Sequence, residues 1–515
     1  MVLDTGATAW VLISAALVLL MVPAVGLFYG GMVRRKNVIS TMMLSFVSLA
    51  LGIVQWIIIG YTLAFGGDVA GLIGSLEFFG LSGIPFDGVT NGIPDILFVC
   101  FQMMFACLAL AILTSGLVGR VKLSSYIVFG LLWLTLVYAP LAHWAWGGGW
   151  ASQLGALDFA GGTVVHISSG FAALALALVI GKRIGFGAQN FAPHNIPMTL
   201  IGGMFLILGW FGFNAGSALA ADSLAASAFL VTAASAASGA LTWMAVSAKS
   251  GKPGSLGFIS GALAGLVGIT PAAGYVNVAG ALVIGVLMSL FCYAALRWRM
   301  KRRLDESLDA WAIHGMGGVC GAVLTGVFAV SALCGVGGLL EGNVLQFAVQ
   351  LLDAGVAAGY SFAVTFVLAW IINKTLGLRV SHDEEYVGMD MSQHGEQAHA
   401  CGGFRMKMVV AVIRSEKVEG VLNALEEHDV PGVTITEVSG RGEQGGICLQ
   451  YRAGKMRVHT LPKTKLEIVV PDSDVDMLIS LIRGYARTGE KGDGRIFVLP
   501  VEAAAWVRTD EYLTE

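Results

Sequence analysis

A polytopic α-helical membrane protein with a small soluble α+β domain at its C-terminal end is the fold class this sequence predicts, on three observations. The 515 residues are 56% hydrophobic and 13% charged, with a mean hydropathy of +0.76, more apolar surface than one water-facing globule can bury. Apolar runs of spanning length follow one another as far as residue 372. After residue 376 the chain turns polar and takes on the strand and helix periods of a soluble domain. The net charge of −3 and pI near 6.3, without a long basic run, give no footing for a nucleic-acid partner. Seven cysteines form no CxxC pair; Cys100, Cys107, Cys292 and Cys320 stand in apolar runs, as small buried side chains rather than a disulfide framework.

The runs at 8–33, 42–65, 96–119, 124–145, 160–181, 197–217, 224–247, 256–272, 276–296, 310–332 and 344–372 predict about eleven spans. The first lacks the basic leader and short apolar core of a cleaved signal peptide, so it stays in the chain as a span. Loop charges alternate. Arg34-Arg35-Lys36, Arg120/Lys122, Lys182-Arg183, Lys249/Lys252, Arg297 to Arg303 and Lys374/Arg379 fall on one side. Asp68/Glu77/Asp87/Asp95, Asp158, Asp222 and Glu341 fall on the other. Basic loops face the cytoplasm, which puts the N-terminus outside and everything after the last span inside. The expected location is the cytoplasmic membrane.

The chain divides into three segments: a membrane domain over 1–375, a polar cytosolic region and linker over 376–403, and a soluble domain over 404–515. In the last, RMKMVVAVI reads as a strand and SEKVEGVLNALEEH as an amphipathic helix with Ser415 as its N-cap. VTITEVSG and MRVHTLPKTKLEIVVP read as strands, SDVDMLISLIRGYART as a second helix and RIFVLPVE as a closing strand. The order βαββαβ is the ferredoxin-like arrangement. RGEQGGICLQYRAGK, between the second and third strands, reads as a long flexible loop rather than a tight hairpin.

Two stretches in the membrane core carry chemistry. LDFAGGTVVHISSG places His166 in the fifth span, and DAWAIHGMGGVCGAVLTG places His314 in the tenth. If spans one to five and six to ten are inverted repeats, the histidines occupy matched positions and meet near the bilayer midplane. Each is preceded by an aspartate near its helix entrance, Asp158 and Asp309. No third Cys, His, Asp or Glu stands at ligand spacing on these helices, so no metal is expected. Asp158 has two roles open to it: capping the fifth span, or binding a cation.

With HWAWGGGW and LGWFGFNAGSA added, these motifs resemble the ammonium transporter (Amt/Mep/Rh) family from about residue 8 to 398. The resemblance implies a homotrimer in the lipid bilayer, with one narrow pore per subunit, acting as a transporter and not an enzyme. It assigns the outer recruitment site for NH4+ (or its analogue methylammonium) to Phe105, Trp146 and Ser217, with Asp158 near the outer mouth. It assigns the aromatic gate to Phe105 with Phe213, and the twin histidines to His166 and His314. An aromatic cage attracts a cation by about 1–2 kcal/mol, a gain that water and neutral ammonia do not share. A bare cation crosses an apolar pore only at a cost of many kcal/mol, so deprotonation to NH3 and a proton acceptor are required. Neighbouring imidazoles suit a relay because each accepts on one nitrogen while donating from the other.

The C-terminal segments TITEVSGRGEQGG, LPKTKLEIVVPD, RTGEKGDGRIFVLPVE and VRTDE are similar to the P-II nitrogen signalling proteins, over about 404–515. That resemblance implies a trimeric module binding ADP or ATP between subunits, with Mg and 2-oxoglutarate. The matching positions are Thr434, Gly440, Gly442, Gln444, Lys463, Gly492, Asp493, Gly494, Arg495 and Arg508. Two departures weaken polyphosphate binding: Glu443 stands where a basic residue is usual, and Trp506 replaces the first arginine of a terminal pair. The tyrosine that some members have uridylylated aligns with Met456. Arg452 matches the loop arginine that plugs a transporter vestibule, implying an intramolecular contact between transporter and module at high effective concentration. The expected function is ammonium transport gated by the fused module. The alternative is an ammonium receptor that signals with little flux, and Trp146, as a cation site, argues against a neutral gas channel.

Overall fold

The structure is a computed structural model of the chain that describes residues 2–188, 191–249, 251–398, 406–428, 430, 432–441, 447–451, 454–458, 460–501 and 504. Two compact units make it up, Met1–Ala398 and His399–Glu515.

In the first unit, ten helices among the described residues are long and apolar enough to cross a membrane: α1 Thr5–Met32, α2 Arg35–Phe65, α3 Asp95–Gly116, α4 Leu123–Gln153, α5 Gly162–Ile180, α6 Ile196–Gly216, α7 Ser223–Ala248, α9 Val278–Lys301, α10 Trp311–Phe328 and α11 Val344–Thr375. The eleventh apolar helix, α8 Ser255–Ile269, has 15 residues. At about 1.5 Å per residue it is roughly 22 Å long, short of a hydrocarbon core of about 30 Å. It stops before the expected end at 272, where Pro271 supplies no backbone N–H, and Thr270–Ala273 continue as buried turns.

Helix ends have amide hydrogens with no partner inside the helix, and several spans satisfy them with their own Asx caps. Asp4, Asn195, Asp222, Asn277 and Asn343 accept from Ala7, Met198, Ala225, Gly280 and Gln346 at 2.9–3.0 Å. Small residues let the spans approach closely: a Cβ on Gly202 of α6 would lie 2.4 Å from the Phe28 nitrogen of α1. Between α2 and α3 the chain makes two short ribbons, β1 Asp68–Val69 with β2 Ile73–Gly74, and β3 Val89–Thr90 with β4 Ile93–Pro94.

At the opposite end, buried charges tie the connections together. Arg120, after α3, lies 3.2 Å from the Asp305 carboxylate; Arg183, after α5, lies 2.6 Å from it. Burial alone would push the Asp305 carboxyl up, but Arg183 and Arg120 hold it below the usual carboxylate range. Residues 376–398 pack on this end too. Helix α12, His382–Val387, begins with a Ser381/Glu384 capping box. Its buried Glu385 accepts from the Ile184 amide at 2.7 Å and from Arg379 at 2.9 Å. Asp390 accepts from the Ser40 amide at 2.8 Å.

The second unit runs β5 Met406–Ile413, α13 Val418–Glu427, β6 Thr434–Gly440, β7 Ile447–Tyr451, β8 Gly454–Val458, β9 Leu461–Pro471, α14 Val475–Ala486 and β10 Gly494–Pro500. The sheet order β10-β5-β9-β6, antiparallel throughout, is the arrangement its βαββαβ order predicts. Val409, Ala411, Ile413, Leu466 and Ile468 face Val421, Leu425, Leu478 and Ile482 of the two helices. The other face leaves Val469, Phe497 and Leu499 36%, 48% and 48% exposed.

Two expectations are corrected here. The excursion after β6 contains an antiparallel hairpin, β7 with β8, because ICLQY and GKMRV pair in register, Ile447 opposite Val458. This also divides the expected strand 456–471, leaving β9 to begin at Leu461. Ser415 is not an N-cap: it lies in a 3-10 turn, Ser415–Lys417, before α13, and its Oγ accepts from the Thr464 hydroxyl at 3.1 Å.

Candidate functional site

Asp158 stands just before α5, and its buried carboxylate accepts the amides of Gly161 (2.9 Å), Gly162 (2.6 Å), Thr163 (2.9 Å) and Val164 (3.2 Å). Capping accounts for its geometry. Its carbonyl accepts from the Trp146 indole at 2.8 Å, so the same residue that starts α5 also aims Trp146.

Trp146 meets Phe105 of α3 edge to face, with centroids 6.1 Å apart at 89°. Phe105 stacks on Phe213 of α6 at 4.2 Å and 20°. One turn further on, the Ser217 hydroxyl donates to the Phe213 carbonyl at 2.8 Å, leaving its oxygen free to accept. Both phenylalanines are fully buried.

Below Phe213, His166 lies 5.8 Å from that ring, centroid to centroid, and stacks on Trp210 at 5.3 Å and 26°. The Trp210 indole is held by Thr270 at 2.9 Å. His166 Nδ1 and His314 Nδ1 are 3.2 Å apart. One Nδ1 therefore donates while the other accepts, and the rings hold opposite tautomers. His166 Nε2 is buried with no hydrogen-bond partner among the described residues. Each histidine sits in a π-helical stretch, Gly162–Ile167 and Trp311–Gly315, a form that recurs at functional sites. The spans cross at two glycines: a Cβ on Gly170 would lie 2.0 Å from the Gly315 nitrogen. Their absence of side chains lets the imidazoles meet.

Three features were missed in the sequence. Asp353 of α11, 2% exposed, accepts from the Thr163 hydroxyl at 2.8 Å, which links a second intramembrane acid to the Asp158 turn. A single Asp inside LLDAG was its signal. The Trp210 stack and the π geometry depend on which helices meet.

In the second unit, Lys463 of β9 donates to the Gly492 carbonyl, and a Cβ on Gly440 would lie 3.7 Å from Lys463 Cγ. Gly492 and Gly494 take positive φ of 106° and 116°. The Asp493 carboxylate turns inward onto its own loop: it accepts the amides of Thr488 (2.8 Å) and Gly489 (2.9 Å), the Thr488 hydroxyl, and Arg414 at 3.2 Å. Those bonds hold it below the usual carboxylate range. Gly440, Lys463 and 492–494 thus come together. Arg495, the second residue of β10, pairs with Val412, and Thr434 lies at the other end of β6. Gly442, Glu443, Gln444, Arg452, Trp506 and Arg508 lie outside the described residues.

Comparison with known proteins places the two units. The model described as Ammonium Transporter Family matches residues 9–399, and that of the nitrogen regulatory protein P-II matches residues 406–511. The ammonium transporter Amt1 of Archaeoglobus fulgidus is 53% identical over 77% of this chain and all of its own length. The crystal structure of Saccharomyces cerevisiae Mep2 superposes with TM-score 0.70 at 38% identity, covering 74% of this chain and 88% of that one. A solved structure described as a sensor Amt protein superposes with TM-score 0.71 at 29% identity, over 76% and 98%.

Proposed function

Because the chain belongs to the ammonium transporter family and carries a P-II domain behind its multi-pass membrane unit, we propose that it moves ammonium across the cytoplasmic membrane by deprotonation and proton relay. The contact between His166 and His314 beneath the stacked Phe105 and Phe213 carries this proposal. Trp146, Phe105 and the Ser217 oxygen recruit NH4+ at the outer mouth, where cation–π attraction favours a cation over water. Asp158 positions Trp146 and the first turn of α5. The cation gives its proton to the His166–His314 relay where the apolar path narrows, because carrying the bare charge further costs more than transferring the proton. Neutral ammonia passes the phenylalanines while the histidine pair conducts the proton, so net charge moves with each ammonium. Potassium enters the aromatic cage but has no proton to give up, and it is rejected.

The unit works as a homotrimer with a domain division at 1–375, 376–403 and 404–515, its C-terminal module in the cytoplasm. Gly440, Lys463, Gly492, Gly494 and Arg495, with Thr434 contributed across a subunit boundary, hold the phosphates of ADP or ATP. Mg and 2-oxoglutarate join them when bound, and Glu443 and Trp506 weaken the site. Regulation through the loop carrying Arg452 follows from the fusion itself, since tethering holds module and target at high effective concentration.

Ammonium-evoked current from the purified protein on a supported bilayer tests this, with and without a truncation near Gln397. Current in both, altered by nucleotide or 2-oxoglutarate only in the full-length chain, is expected. Ammonium binding without current in either marks a receptor instead. His166→Ala with His314→Ala abolishes selectivity for ammonium over potassium; retained selectivity refutes the relay.

A further inference from the structure

A cavity adjoins the paired histidines, bounded by α1, α3, α6, α8 and the start of α10. Its walls are apolar, from Phe28, Leu108, Trp210 and Ile313, and Tyr29 and His314 also line it. Among the described residues Asp309 is the one charged side chain in that lining. Asp158 precedes α5, whereas Asp305, four residues before Asp309, pairs with Arg183 beyond the far end of α5, so Asp158 and Asp309 lie at opposite ends of that span. Asp309 has a positive φ of 66°, rare for a residue with a Cβ, and its carbonyl accepts the Ile313 amide at 2.9 Å. It therefore stands at the start of the helix whose π stretch, Trp311–Gly315, carries His314.

The pairing of charges around Asp309 is uneven. Arg299 Nη2 lies 2.6 Å from Asp309 Oδ1, while its Nη1 donates to the Leu304 and Glu306 carbonyls at 2.8 Å. Glu306, fully buried, accepts from the Ser115 hydroxyl and the Trp311 amide. Arg183 and Arg120 are engaged by Asp305. Glu306 and Asp309 thus draw on one near guanidinium, Arg299, while Asp305 takes two. Burial pushes both carboxyls up, with Arg299 opposing.

We propose that Asp309 is the inner proton acceptor of the conduit, taking the proton that the histidine pair carries and returning it to ammonia leaving the cavity. The proposal rests on the twin-histidine relay. In the first transfer an imidazolium N–H bond breaks and a carboxyl O–H bond forms across the cavity. In the second that O–H bond breaks and an N–H bond forms on NH3, which restores the carboxylate and releases NH4+. Arg299 keeps the carboxylate in place and limits how tightly it holds the proton.

The test is the bilayer current of the full-length protein across neutral pH, comparing wild type, Asp309→Asn, Asp309→Glu and the double histidine variant. Asp309→Asn is expected to lower maximal current at least about tenfold with half-saturating ammonium unchanged, as loss of a proton-transfer group does. Asp309→Glu is expected to restore most of the current with a displaced pH profile. Wild-type current and pH profile in Asp309→Asn overturn the proposal. So does an Asp309→Glu variant as inactive as Asp309→Asn, which marks the residue as a structural partner of Arg299. The double histidine variant reads the relay separately: selectivity retained there removes the relay whatever the Asp309 variants do.

Discussion

Asp158 holds four amides of one helical turn, and each would be left buried without an acceptor if the carboxylate were lost. Asp158→Ala is therefore expected to cost about 3 kcal/mol or more, read as a fall in thermal midpoint in detergent. Asp158→Asn keeps an acceptor oxygen and falls less. Equal midpoints for Ala and wild type would show that the cap does not matter. At this scale the motifs made His166, His314, Phe105, Phe213 and Trp146 legible, because an imidazole or an aromatic cluster in an apolar span is conspicuous. Asp353 was not legible: one carboxylate in a long apolar run carries no spacing signal, and its partner Thr163 lies 190 residues away.

Between elements, a glycine crossing and a buried ion cluster do most to set geometry. Gly170→Leu puts a side chain where Gly315 backbone already stands, so α5 and α10 must separate and the imidazole contact must open. The expected result is loss of ammonium current with the protein still monodisperse on gel filtration; unchanged current would show that the 3.2 Å contact is dispensable. Asp305 makes a pH prediction. Its folded value lies below the ordinary one, so its stabilisation is present above the ordinary carboxylate range and is lost as pH falls through the folded value. Asp305→Asn should thus unfold at a lower temperature than wild type at neutral pH, with the gap closing below about pH 4. A gap that stays constant would mean Arg120 and Arg183 need no anion. Spans were legible at this scale because 3.6-residue helices of apolar side chains need only length. The β7–β8 hairpin was not, since no Asn-Gly or Asp-Gly turn marks it.

For the whole molecule, the sequence announced a membrane unit and a soluble one through their compositions, and helix-packing partners stayed hidden because they are set by shape. The second unit has its own core, so residues 404–515 should fold alone. With Val469, Phe497 and Leu499 left open on one sheet face, that fragment is expected to associate as a trimer by light scattering, and Phe497→Asp to dissociate it. A monomeric wild-type fragment would assign that face to another partner. The short helix α8 has a consequence for biogenesis. Too brief to be retained by lipid on its own, it is held between α7 and α9, with Ser235 of α7 donating to the Gly265 carbonyl at 2.8 Å. The insertion machinery therefore receives a segment that becomes stable only once the next one has been synthesised. The ribosome must run past α9 before α8 is committed to the bilayer, and a stall at that point would leave the nascent chain with its topology undecided.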